Sequence, residues 1–272
     1  MKKKLELRDI QLLQLDIAKE FKRICEENSI QYFMVGGTLL GAVRHKGFIP
    51  WDDDMDFGMT LDNYSKFMKL VTRELSDKYF VQHWNDGTEY GYPFCKIMMK
   101  NTVALEMCSR NVETGKGIWI DIFPYVKISP KQYNSKFYML KLRLLNKCLL
   151  LKSNYDLNCL TKKTYVKLLN NIIKKLPVNK KNIKKKIRDS IFQVENKEDS
   201  CYLECNGIFN GDFLYQNDYF SRCLEVKFED TTFKAPYHYC DYLKDTYGDF
   251  MQLPPEEQRY VGHSIIEVYV NE

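Results

Sequence analysis

Asp54-Met55-Asp56 is the stretch of this chain best suited to chemistry, because it sets two carboxylates on either side of one apolar residue. On an extended strand alternate side chains share a face, so Asp54 and Asp56 would point together while Met55 and Phe57 pack behind them. Two such acids repel by about 1–4 kcal/mol, depending on the effective dielectric. A hard divalent cation, Mg²⁺ or Mn²⁺, would neutralise them. Upstream, Tyr32 to Val35 reads as a buried strand, Gly36-Gly37 as a tight turn and Thr38 to Val43 as the start of a helix. A helix starting there aims backbone N–H groups and its positive dipole end at whatever lies over the turn, so Gly36, Gly37 and Thr38 are candidate phosphate binders. The implied chemistry is metal-assisted phosphoryl transfer. Each part also has a plain reading: Asp52-Asp53-Asp54 as a solvated turn after Pro50, and the glycines as a simple bend. A calcium-binding EF-hand is excluded by spacing, since a loop counted from Asp52 has Phe57 where glycine is needed and Asn63 where glutamate is needed.

A third acid lies further on. Ile118-Trp119-Ile120-Asp121-Ile122-Phe123 reads as a buried strand interrupted by one aspartate, which needs a metal, a cation or solvent at its carboxylate. Arg44 and His45 place positive charge between the glycine turn and the acids, where they could hold a phosphate or pair with an aspartate. Lys96, on a candidate strand from Phe94 to Met99, is a further phosphate contact, although most strand lysines are solvated. Trp51 could stack on a base or pack in the core.

Several elements must position these groups. Apolar residues at helical spacing make Arg8 to Glu27 an amphipathic helix whose role is packing. Asp62 reads as the N-cap of a helix reaching about Asp77, with Tyr64, Phe67, Met68 and Val71 turned inward. Tyr79 to Trp84, Phe94 to Met99 and Thr102 to Met107 are rich in strand formers and are expected to extend the sheet. Pro130 to Leu151 reads as helical. So does Thr161 to Leu176, where Tyr165, Leu168, Leu169, Ile172, Ile173 and Leu176 form a stripe that stops at Pro177. Cys223 to Pro236 suggests a hairpin, and a helix follows from about Tyr237. The division expected is residues 1–128 as catalytic core, 129–200 as a helical basic lobe and 201–272 packing back on the core.

The chain has 272 residues, 28% charged and 44% hydrophobic, the balance of a folded globular protein. Its net charge is +5, yet residues 161–188 carry eleven Lys or Arg and no acid, so the remainder is net negative. Such a basic amphipathic segment suits an anionic membrane face or a lipid-linked glycan, or is a solvated surface. No nucleic-acid motif accompanies it. The nine cysteines form no CxxC pair. Cys201 and Cys205 are a weak zinc candidate, and free-thiol or structural roles are expected. The opening MKKKLELRDI has no apolar core after its basic cluster, and no apolar run reaches about 18 residues. A cytoplasmic location is expected, with peripheral contact at the inner face of the cell membrane as an option.

The run GGTLLGAVRHKGFIPWDDDMDFGM closely resembles the signature of the LicD family, which includes bacterial phosphorylcholine transferases and is related to the fukutin-type ribitol phosphate transferases. The later run YLKDTYGDFMQLPP, from Tyr242 to Pro255 and followed by His263, is similar to the family's closing segment. The resemblance implies an α+β, nucleotidyltransferase-like mixed sheet with flanking helices. Its pattern is met by Gly36 and Gly37, then Asp54 and Asp56, then Asp121 as third acid, with Asp52 as the alternative first metal ligand. It implies a CDP-alcohol donor such as CDP-choline and attack by a hydroxyl of a cell-surface glycan, in teichoic acid, lipopolysaccharide or capsule precursors, releasing CMP. It also makes His263 a candidate base, phosphate ligand or packing residue. Two other functions compete: nucleotidyl transfer from an NTP to a small acceptor, and non-catalytic binding of glycan or membrane.

Overall fold

The computed structural model describes residues 2–192, 201–205, 214–216, 218–260 and 265–271. The architecture is α+β. Its centre is a mixed sheet in the order β2-β3-β7-β5-β4, formed by Phe33–Met34, Asp56–Thr60, Trp119–Ile128, Cys95–Met99 and Tyr79–Gln82, with β8 (Cys201–Glu204) also paired to β7. Strand β7 is the spine. Its first half pairs antiparallel with β5, from Trp119 opposite Met98 to Ile122 opposite Cys95, and its second half pairs antiparallel with β8, from Tyr125 opposite Glu204 to Ile128 opposite Cys201. Along its other edge runs β3, the parallel neighbour, with Asp56 level with Asp121.

The burial of β7 follows from its position: nine of its ten residues are buried, as a strand covered on both faces requires. Helix α1 (Leu7–Glu27) packs on the sheet through Phe21, whose ring lies 5.0 Å from Tyr32, 4.8 Å from Phe57 and 5.4 Å from Phe67 of α3. Helix α3 (Leu61–Glu74) is capped by Thr60 and not by Asp62, which falls within its first turn. Strand β6 (Thr102–Glu106) does not extend the central sheet. It pairs with β11 (Ile265–Asn271), which pairs with β1 (Lys2–Lys4), making a separate sheet from both ends of the chain. Alternation within one short strand carries no information about which sheet will take it.

Between β7 and β8 the described residues form α4 (Pro130–Asn134), α5 (Lys136–Lys152), α6 (Thr164–Lys175) and α7 (Lys180–Ile191). The single helix expected from Pro130 to Leu151 is split at Ser135, whose hydroxyl accepts from the Tyr138 amide and starts α5. Helix α7 was legible only in Ile183, Ile187 and Ile191, which are spaced by four residues and buried. The hairpin of β9 (Cys223–Phe228) and β10 (Thr231–Pro236) forms with Phe228 opposite Thr231, and α8 (Tyr239–Tyr247) follows. Its turn is fastened to the core by Glu229. That carboxylate takes both arms of Arg8, at 2.6 and 3.0 Å, and the Phe48 amide at 3.2 Å.

All nine cysteines are free thiols, and among the described residues none joins a metal-binding cluster. No described helix is long and apolar enough to cross a membrane. Gly58, in the middle of β3, is boxed in by aromatic rings: an added Cβ would lie 2.4 Å from Phe33 and 2.7 Å from Tyr125. Gly58→Ala is therefore expected to lower stability by about 1–3 kcal/mol in urea unfolding, the range for overpacking a filled core. An unchanged midpoint would show that these rings move aside freely.

Candidate active site

Strand β3 and helix α2 (Gly36–Arg44) meet where the glycine turn passes the acids. Helix α2 begins at Gly36, two residues earlier than the sequence pattern suggests, so both glycines belong to its first turn. Each has a reason to be glycine. Gly36 has φ +53°, in the left-handed region that other residues rarely adopt, and a Cβ there would lie 3.6 Å from Asp56 Oδ2. At Gly37 a Cβ would lie 2.6 Å from Asp52 Oδ2, so the Asp52 carboxylate rests directly against the helix start. Thr38 is buried and uses its hydroxyl to accept the Asp56 amide at 2.7 Å, which ties the turn to the strand that carries the acid.

The acids crowd together. Met55 and Phe57 are fully buried, as expected, and Asp54 and Asp56 alternate with them, although Asp54 lies just before β3 and not on it. Asp56 and Asp121 sit side by side on parallel neighbours, where a register pair shares a face of the sheet. Burial, followed by the charges of Asp54, Asp121, Glu204 and Asp52, pushes the Asp56 carboxyl well above the usual carboxylate range. Glu204 was not expected here. It arrives on β8, level with Tyr125, whose hydroxyl donates to it at 3.1 Å. A lone glutamate in a short segment gives no sequence signal for this role.

Asp121 is held from the opposite side. Lys96 Nζ lies 2.9 Å from Asp121 Oδ1 and 3.1 Å from Oδ2, and Trp119 Nε1 donates to Oδ2 at 3.1 Å. Lys96 and Asp121 are each 6% exposed, so this is a buried ion pair. The ammonium also sits 4.2 Å from the centre of the Trp119 ring. Burial alone would lower the Lys96 ammonium, but Asp121, Glu106 and Asp56 outweigh it and raise it, so Lys96 stays charged. Lys96 thus reaches the acid cluster as the partner of Asp121, where the sequence had suggested a phosphate contact.

Arg44 does not pair with an aspartate. Its guanidinium donates to the carbonyls of Phe250 at 3.0 Å and Gln252 at 3.3 Å, clasping the segment after α8, and its Nε donates to His45 Nε2 at 3.0 Å. Burial and the Arg44 charge hold the His45 imidazole below its usual range, consistent with its acceptor role. His45 lies edge-on to Trp51, 6.1 Å between ring centres, and Arg259 stacks 5.5 Å from the same indole. His263 lies outside the described residues.

Further residues complete the surroundings. The Gly36 amide donates to Tyr242 Oη at 3.1 Å, so α8 caps the first turn of α2. Burial, then Asp56, Asp52 and Asp54, raise the Tyr247 hydroxyl, which therefore stays protonated and faces the acids as a donor. Both tyrosines belong to the YLKDTYGD run, whose resemblance pointed to the site without giving them roles. Buried glutamines of α1 hold the acidic loop: Gln11 donates to the Asp52 carbonyl at 2.9 Å and Gln14 to the Asp53 carbonyl at 2.8 Å. The helix expected only to pack therefore also positions the acids. Among the described residues no three His, Cys, Asp or Glu side chains close on a common point as a ready-made metal site. The donor chemistry still suits a hard divalent cation, because the cluster is all oxygen and its like charges oppose ionisation of Asp56.

Comparison with known proteins agrees with this geometry. The LicD/FKTN/FKRP nucleotidyltransferase domain matches residues 29–147, which include the glycine turn, Asp54, Asp56, Lys96 and Asp121. Lipopolysaccharide cholinephosphotransferase LicD of Haemophilus influenzae is 31% identical over 286 residues, covering 98% of this chain and 99% of that one. Ribitol 5-phosphate transferase FKRP of Homo sapiens is 29% identical over 105 residues, covering 36% of this chain and 21% of that protein. An uncharacterized protein of Rickettsia typhi is 36% identical over 67 residues, 25% of this chain and 22% of its own. With a relative of this identity aligned from end to end, and the signature residues gathered at one place in the fold, the chain belongs to the LicD family.

Proposed function

We propose that this protein transfers a phospho-alcohol, phosphocholine first among the candidates, from a CDP-alcohol to a hydroxyl of a cell-surface glycan such as lipopolysaccharide, teichoic acid or a capsule precursor. The observation that carries the reading is the register of Asp56 with Asp121 beside the first turn of α2, with Asp52, Asp54 and Glu204 adding like charge. Similarity along the chain to a lipopolysaccharide cholinephosphotransferase supports the transferred group and the glycan acceptor.

Asp54 and Asp56, with Asp121 as third acid, would hold Mg²⁺ or Mn²⁺. A bound divalent cation would supply neutralisation of the diphosphate and of the charge that develops on the leaving CMP. The amides at the start of α2, which have no partners within the helix, offer donors to phosphate oxygens at Gly37 and Thr38. Tyr247 adds a protonated hydroxyl on the same side. The acceptor hydroxyl oxygen forms a bond to the phosphorus bearing the alcohol, the bond from that phosphorus to the CMP oxygen breaks, and the hydroxyl proton passes to Asp121. Lys96 and Trp119, at 2.9 and 3.1 Å, orient the Asp121 carboxylate for that task.

Incubated with Mg²⁺, a glycan acceptor and a panel of CDP-alcohols, the protein should release CMP from at least one. Asp54→Asn and Asp56→Asn should each lower that release by about a thousandfold or more while circular dichroism stays native. Pyrophosphate release from NTPs in place of CMP release would make the protein a nucleotidyltransferase. Mn²⁺ added to chelator-treated protein should raise the thermal midpoint of the wild type and leave that of Asp56→Asn unmoved; equal shifts in both would remove the metal from these carboxylates. Lys96→Met should cost about 3–5 kcal/mol in urea unfolding by stranding a buried charge, and Lys96→Met/Asp121→Asn should recover much of it. Equal losses in the single and double variants would assign the cost to lost packing over Trp119.

A further inference from the structure

Helix α6 is built inside out. Its apolar residues Tyr165, Leu168, Leu169 and Ile172 recur at the spacing of a single helical face, which in a globular domain is the face turned to the core. Here it is turned to solvent: these side chains are 67, 62, 49 and 50% exposed, and Leu176 and Val178 continue the exposed strip beyond the helix end. The inner side of α6 carries the half-buried Val166 and Ile173 and, between them, Asn170, 1% exposed, whose amide donates to Asn158 Oδ1 at 2.9 Å. On the same inner side Lys152 of α5 donates to the Lys174 carbonyl at 2.8 Å. The neighbouring α7 has the ordinary orientation, with Ile183, Ile187 and Ile191 buried and Lys181, Lys185 and Lys186 exposed, while Lys180 pairs with Glu89 and Lys184 donates to the Trp84 carbonyl at 2.8 Å. The inversion is therefore particular to α6 and is fixed by specific polar contacts on its inner face.

The surrounding charge selects what covers this face. Residues 161–188, which comprise α6, the link and most of α7, hold eleven cations and no acid. A second copy of the chain would bring the same cations against these, and repulsion opposes that pairing. A nucleic acid would satisfy the lysines and leave Leu168 and Ile172 in water. An anionic bilayer satisfies both, since apolar side chains enter the acyl boundary while lysines sit at the headgroups. We propose that α6 docks its apolar face into the interfacial layer of a membrane rich in anionic lipid. This stands independently of the phosphotransfer reading.

Full-length protein mixed with sedimenting vesicles provides the test. Binding is expected to phosphatidylcholine vesicles containing phosphatidylglycerol and not to pure phosphatidylcholine. Leu168→Gln/Ile172→Gln should lower the bound-to-free ratio by about tenfold or more, since two buried apolar side chains are lost from the interface. Because both residues are exposed, the variant's circular dichroism and thermal midpoint should match the wild type. The proposal is overturned if anionic vesicles do not bind, if they bind the variant as well as the wild type, or if both vesicle types bind equally. A dimer in sedimentation velocity that the variant dissolves, without vesicle binding, would assign the face to a second copy of the chain.

Discussion

Crowded negative charge is the constraint around which this molecule is arranged. Asp56 stands level with Asp121 and within the electrostatic reach of Asp54, Asp52 and Glu204, so its ionised form is opposed both by burial and by its neighbours. Folding alone would separate such groups. They stay together because each is held by contacts that are themselves favourable: the Asp56 amide by Thr38, the Asp52 and Asp53 carbonyls by Gln11 and Gln14, and the Asp121 carboxylate by Lys96 and Trp119. The carboxylates are thereby fixed in place before any ligand arrives.

The two positive elements nearest the acids divide the work. Lys96 is buried and committed to Asp121, setting the direction of one carboxylate. Arg44 turns away to clasp the carbonyls of Phe250 and Gln252, so its contribution is to hold the segment after α8 against the end of α2. That segment follows Tyr242 and Tyr247, which reach the first turn of α2 and the acid cluster. The closing part of the chain is thereby a structural wall of the site, which explains in physical terms why similarity to LicD of Haemophilus influenzae runs the whole length while the shared domain stops at residue 147.

Away from the site, the helices between β7 and β8 follow two different rules. Helix α7 buries its isoleucines, whereas α6 exposes most of its apolar side chains and buries an asparagine. Periodicity located the stripe of α6 and not its direction, because spacing states that one face is apolar and not which way that face is turned.

What the residues determined unaided was local and chemical. Glycine in the left-handed turn, acid and apolar residues alternating through Asp54 to Phe57, and one aspartate in an apolar strand were each legible, because backbone geometry and desolvation act within a few residues. The hairpin from Cys223 to Pro236 was legible for the same reason, and the α+β class through the family resemblance. Only the tertiary structure decided that β6 joins β11 and β1, that Glu204 enters the acid cluster on β8, that Lys96 pairs with Asp121 and that Arg44 grips a distant loop. These depend on partners at least 25 positions away along the chain, and the pairing of such residues is set by sheet order and packing, which no local pattern of residue types encodes.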